Sequence, residues 1–158
     1  MATTYTLDKE LGKKINSLIR INIDSEKGFM EAAEKLESAS YSQMFREIAE
    51  ERSQQATELQ GIIEGLGKEP EDDGSALGTA HRWWLAIREK VTTSSNYDVL
   101  AEAERGEDSI LHLYQDVAKE TADTGVHSMI ERQRKQVKLR HDQVRNLRDN
   151  AKELKDRE

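Results

Sequence analysis

A single proline, Pro70, interrupts 158 residues. Proline is the residue that most firmly ends a helix, so nearly all of this chain is free to stay helical. Apolar residues recur at steps of three and four over segments much longer than a strand, which predicts long amphipathic helices. Four such segments are legible. The first spans about residues 7–36, with Thr6 or Asp8 as a cap and Leu11, Ile15, Leu18, Phe29, Ala33 and Leu36 on its inner stripe. Ile19, Ile23 and Met30 form a second apolar line beside it. A turn at residues 38–40, with Ser40 as expected N-cap, leads into a helix over about 41–66. That helix turns Phe45, Ile48, Ala49, Ala56, Leu59, Ile62 and Ile63 inward and ends at Gly67, a left-handed C-cap with Pro70 beyond it. The third helix covers about 98–121. The fourth begins near 126, with Val126, Ile130, Val137, Val144, Leu147, Ala151 and Leu154 inward.

Charged and apolar residues each make up 35% of the chain, which fits narrow core stripes backed by wide solvated faces. A net charge of −7 argues against general binding to nucleic acid or to an anionic membrane. The basic run Arg132, Arg134, Lys135, Lys138, Arg140, Arg145, Arg148 is interleaved with Glu131, Asp142 and Asp149, so it reads as a solvated helix face. The chain has no cysteine, which excludes disulfides, thiol catalysis and cysteine-ligated zinc. No basic leader followed by an apolar run opens the sequence, and no stretch approaches the ~18 apolar residues of a membrane span. The expected setting is cytoplasmic, with no membrane partner.

The connection at about 67–97 decides the topology. The other two turns are short and make their helices antiparallel neighbours. A connection of this length can run back along a helix of roughly 40 Å, at 1.5 Å per residue. Helices 2 and 3 would then be parallel. The reading is all-α: one domain over residues 1–158, a ferritin-like four-helix bundle running up-down-down-up, with a short extra helix in the crossover. That crossover helix, about 80–91, carries His81, Trp83 and Trp84 as candidate contacts with the bundle or a dimer partner.

Several stripe positions are polar. Glu107 lies on the stripe Leu100, Ala103, Glu107, Ile110, Tyr114, Val117. A carboxylate aimed into a bundle needs a partner, because an unpaired buried charge is very costly. Coarse alignment puts Glu26, Arg52, Glu107 and His141 within about a turn of one another, with Asn22, Gln55 and Gln133 nearer the other end. Bundle di-metal sites take a Glu from each of two helices and Glu-x-x-His from each of the other two. Here Glu131-Arg-Gln-Arg134 has arginine where histidine is needed, and helix 2 contains no histidine. The expected layer is therefore an internal ion pair, with the Arg52 fork bridging carboxylates such as Glu107 and Glu26. Glu102 and Asp108 are expected to face solvent or the crossover, and His112 and His127 the surface. No nucleophile elbow, phosphate loop or other catalytic signature is present.

The motifs Ile23-Asp-Ser-Glu-Lys-Gly-Phe29, Ala32-Ala33-Glu34, Glu58-Leu59-Gln60, Leu66-Gly67, Pro70-Glu71, Gly74-Ser75 and His81-Arg82-x-Trp84 occur in that order. They are followed by Leu100-Ala-Glu-Ala-Glu-Arg-Gly-Glu-Asp108, Tyr114, Val137 and His141-Asp142-x-Val144-Arg145-x-Leu147-Arg148-Asp149. Together they resemble an uncharacterised bacterial family of four-helix-bundle proteins of unknown function, placed in the ferritin-like superfamily. The resemblance implies that fold and a bacterial cytoplasmic setting, and carries no assigned activity. The functional expectation is a non-enzymatic, stress-associated structural or interaction protein, assembled as a homodimer or higher homo-oligomer, with no cofactor and no metal ligands. One alternative is an iron- or manganese-binding protein with a degenerate carboxylate site, a di-metal oxidase among the possibilities. Another is a binding module with a pocket under the crossover helix.

Overall fold

Helices begin where a side chain replaces the backbone partners that the first turn lacks. In the computed structural model, which describes residues 9–65, 67, 89 and 95–157, serines do this at two entries. Among the described residues the chain forms four long helices and no strand: α1 (Lys9–Lys35), α2 (Ala39–Gly65), α3 (Asn96–Glu120) and α4 (His127–Asp156). The all-α bundle expected from the periodicity is what forms. Glu26, Arg52, Glu107 and His141 lie on α1, α2, α3 and α4 in turn. His81, Trp83 and Trp84, with the expected crossover helix and the Thr6 and Asp8 caps, lie outside the described residues.

The entry to α2 differs from the expectation by two residues. Ser38, and not Ser40, stands before the helix: the Tyr41 N–H donates to Ser38 Oγ at 3.4 Å and the Ser42 N–H to Ser38 O at 2.9 Å. Ser40 already lies within the first turn. Gly67 has φ 75°, the left-handed conformation that closes a helix and that glycine adopts without steric cost. At α3, Ser95 Oγ accepts from the Asp98 N–H (3.3 Å) and donates to Asp98 Oδ2 (3.0 Å). Ser95→Ala should therefore cost about 1 kcal/mol, read as a lowered urea midpoint at unchanged slope.

α1 packs along α2 and α3 along α4, and α1 also touches α3. The core carries the expected stripes: Leu11, Ile15, Leu18, Phe29 and Ala33 from α1, and Phe45, Ile48, Ala49, Ala56, Leu59 and Ile63 from α2, are buried. Phe29 and Phe45 meet edge to face at 5.0 Å. Leu100, Ala103, Ile110, Tyr114 and Val117 are buried on α3, as are Val126, Ile130, Val137, Val144 and Ala151 at the start of α4 and along it. Two expected core residues are exposed, Met30 at 39% and Leu154 at 61%. Met30 sits at the outer edge of the second apolar line. Leu154 falls in the last turn of α4, where little packs on the helix.

Polar contacts tie the helices together in pairs. Ser42 Oγ donates to Ala33 O at 2.7 Å between α1 and α2. Lys14 pairs with Glu120 between α1 and α3. Arg132 pairs with Glu58, and Arg140 with Glu51 at 2.5 Å, between α2 and α4. Arg148 pairs with Glu104 at 2.6 Å between α3 and α4. The basic run of α4 is thus more than a solvated face, since three of its arginines reach acids on two neighbouring helices. Each partly exposed pair contributes only about 0–1 kcal/mol, so together they orient helices more than they stabilise them. No described helix is long and apolar enough to cross a membrane.

Candidate functional site

The polar positions that interrupt the four stripes meet in two tiers inside the bundle. In the first, Arg52 Nη2 on α2 donates to Glu107 Oε2 on α3 at 2.5 Å. The side chains are 1% and 0% exposed, so the pair is cut off from water. Burial pushes the Glu107 carboxyl above the usual carboxylate range, while Arg52, and more weakly His141, pull the other way. Among the described residues, Arg52 Nε and Glu107 Oε1 find no hydrogen-bond partner. One good bond therefore carries the pair, with a donor and an acceptor to spare.

The second tier spans all four helices. Asn22 Nδ2 on α1 donates to Tyr114 Oη on α3 at 2.7 Å, and Tyr114 Oη donates to Gln133 Oε1 on α4 at 2.7 Å. Gln133 Nε2 reaches Gln55 O on α2 at 3.3 Å. Asn22, Gln55, Tyr114 and Gln133 are all essentially buried. Tyr114 is the hub of this tier, a role that its place on an apolar stripe conceals. Burial raises the pKa of its hydroxyl far above the usual tyrosine value. Such a group favours the folded state while it stays protonated. That stability is whole below the unfolded tyrosine pKa of about 10 and is lost as pH rises above it. Titration at 295 nm, followed beside circular dichroism, should show the Tyr114 phenolate appearing only as helix signal disappears.

The two remaining candidates lie apart from the Arg52–Glu107 bond. Glu26 is half-buried, and no hydrogen bond or ion pair joins it to Arg52 or Glu107. His141 faces α3 instead. Its Nε2 lies 2.5 Å from Asp108 Oδ1 and 3.6 Å from Glu104 Oε1, and its Nδ1 lies 3.1 Å from Asp142 Oδ1. The Lys138 ammonium, and then His141, hold the Asp142 carboxyl below its usual range. Asp108, expected to look only to solvent or the crossover, is about half exposed yet engages His141. The sequence signal for this group is the i, i+4 spacing of Glu104 and Asp108, which puts both on one helix face. His112 is exposed on α3, as expected, whereas His127 is half-buried, 3.4 Å from Thr121 Oγ1.

The centre of the bundle does not fit the di-metal group that a ferritin-like fold implies. Its carboxylate, Glu107, already holds a guanidinium, which would repel a cation and compete for the same oxygens. His141 engages carboxylates on the α3–α4 side.

None of the curated proteins matches the chain. The model of one family, described as a domain of unknown function, DUF2383, matches residues 10–120. That span takes in α1, α2 and α3 and both members of the central ion pair, and the chain belongs to this family.

Proposed function

We propose that this protein is a non-enzymatic, ferritin-like structural or interaction scaffold, in which an ion pair and an amide network stand where related bundles hold two metal ions. The observation that carries the reading is the buried bond between Arg52 and Glu107. Catalysis by a di-metal bundle needs open carboxylates around its ions. Here the central carboxylate is committed to an arginine.

The order of contacts supports the up-down-down-up course. Lys14 pairs with Glu120 and Asn22 with Tyr114, so α1 and α3 are antiparallel. Ser42 bonding back to Ala33 makes α1 and α2 antiparallel too. Together these contacts favour parallel α2 and α3. Parallel second and third helices are the ferritin-like order.

Oxidation of ferrous iron by dissolved oxygen tests the non-enzymatic reading. The protein should leave the rate at its protein-free background, and Glu107→Gln should change nothing. Accelerated oxidation that Glu107→Gln abolishes would overturn the reading.

A further inference from the structure

We propose that Glu104, Asp108 and His141 form a binding site for one first-row divalent cation, of the zinc or manganese class, that clips α3 to α4. One ligand atom from each of the three lies within 4.8 Å of the others. A metal held by two carboxylates and an imidazole, with ligand bonds of about 2.0–2.2 Å, brings its donors about this close. With no sulfur donor, the set suits zinc or manganese over copper(I) or an iron–sulfur cluster.

The surrounding contacts hold the far atoms of the group and leave the facing ones to one another. Arg148 holds Glu104 by Oε2 at 2.6 Å, so Oε1 is the oxygen turned to His141. Asp142 holds the far ring nitrogen of His141 at 3.1 Å. An ion entering there displaces the proton that Nε2 shares with Asp108 Oδ1 at 2.5 Å, and Asp142 then holds the proton on Nδ1. This is the outer-shell arrangement that orients metal-binding histidines. Lys138 and Arg145 lie against Asp142, outside the donor triangle. Among the described residues, no cation other than the imidazole itself contacts Glu104 Oε1 or Asp108 Oδ1.

A second observation points the same way. Glu107 lies on this face of α3, one turn beyond Glu104 and next to Asp108, and is fully buried. Its Oε1 has no hydrogen-bond partner among the described residues. A further unsatisfied oxygen therefore belongs to the residue beside the donor group on α3. Glu104 and His141 are 14% and 10% exposed, whereas Asp108 is 47% exposed. The group has a closed floor and an open side, through which an ion enters and keeps water ligands.

This site is separate from the Arg52–Glu107 bond, so either reading stands if the other fails. Calorimetric titration of the full chain, stripped of metal by chelator, with zinc chloride and with manganese chloride tests it. The expected result is one ion per chain, a thermal midpoint raised by several degrees at saturation, and visible absorption bands when cobalt(II) replaces the ion. Asp108→Asn, which keeps the side chain's size at a half-exposed position, and His141→Gln should each abolish stoichiometric binding. Asp142→Asn should keep the stoichiometry and weaken affinity roughly 10- to 100-fold. Absence of a stoichiometric ion in the unaltered chain overturns the proposal. So does binding that Asp108→Asn and His141→Gln leave unchanged, which would mean an adventitious ion only.

Discussion

Arg52→Ala should lower the stability of the folded chain by about 3–5 kcal/mol, the largest loss expected from any polar position in this protein. The cause is less the missing attraction than what remains. Glu107 is fully buried, and Arg52 is its one hydrogen-bond partner among the described residues. Removing Arg52 leaves a carboxylate that must ionise without a counter-charge, take up a proton, or open the bundle to water. At this chain length each kcal/mol moves the thermal midpoint by about 2–4 °C, so a fall of roughly 6–20 °C is expected. Arg52→Met combined with Glu107→Leu makes the cause measurable. Replacing both partners with apolar residues of similar volume is often neutral or stabilising. The double variant should return to within about 1 kcal/mol of the parent, although each single change is damaging. Urea unfolding of the four proteins of the cycle gives the coupling directly. An Arg52→Ala variant within about 0.5 kcal/mol of the parent would mean that water reaches Glu107.

Tyr114→Phe should cost about 2–4 kcal/mol, although it removes one oxygen and leaves the ring in place. Tyr114 Oη accepts from Asn22 and donates to Gln133, so its loss strands a donor on α1 and an acceptor on α4. Each buried group left unsatisfied costs about 1–3 kcal/mol. Asn22 Nδ2 keeps its bond to Leu18 O at 2.8 Å, which limits the loss on that side. Adding Gln133→Leu removes the stranded acceptor and should recover part of the difference, though Gln133 also holds Gln55 O. The measurement is again the urea midpoint at constant slope. A loss below about 0.5 kcal/mol would show that the hydroxyl spans no buried gap between helices.

The helices themselves were readable because each is local. Apolar residues at steps of three and four select a face, and caps and glycine select the ends. Even the inward direction of Arg52 and Glu107 follows from their stripes. Errors collected at the ends, where Ser38 takes the place expected for Ser40 and Leu154 is left exposed. There, local preferences compete with the way the chain leaves the helix. The family resemblance, drawn from many short motifs in order, agrees with the family match over residues 10–120.

Periodicity and motif spacing dictate an all-helical chain with charged residues on its core stripes and without the histidine spacing of a di-metal bundle. Which of those residues meet is set by how the helices pack. Arg52 and Glu107 are 55 residues apart in the chain, and Asp108 and His141 are 33 apart. One turn of helix rises about 5.4 Å, nearly twice the length of a hydrogen bond. A stripe specifies the face of a residue, but its partner depends on how far one helix slides and rotates against the next. For that reason Glu26 falls outside the ion pair, His141 turns to Glu104 and Asp108, and Tyr114 becomes the link between α1 and α4.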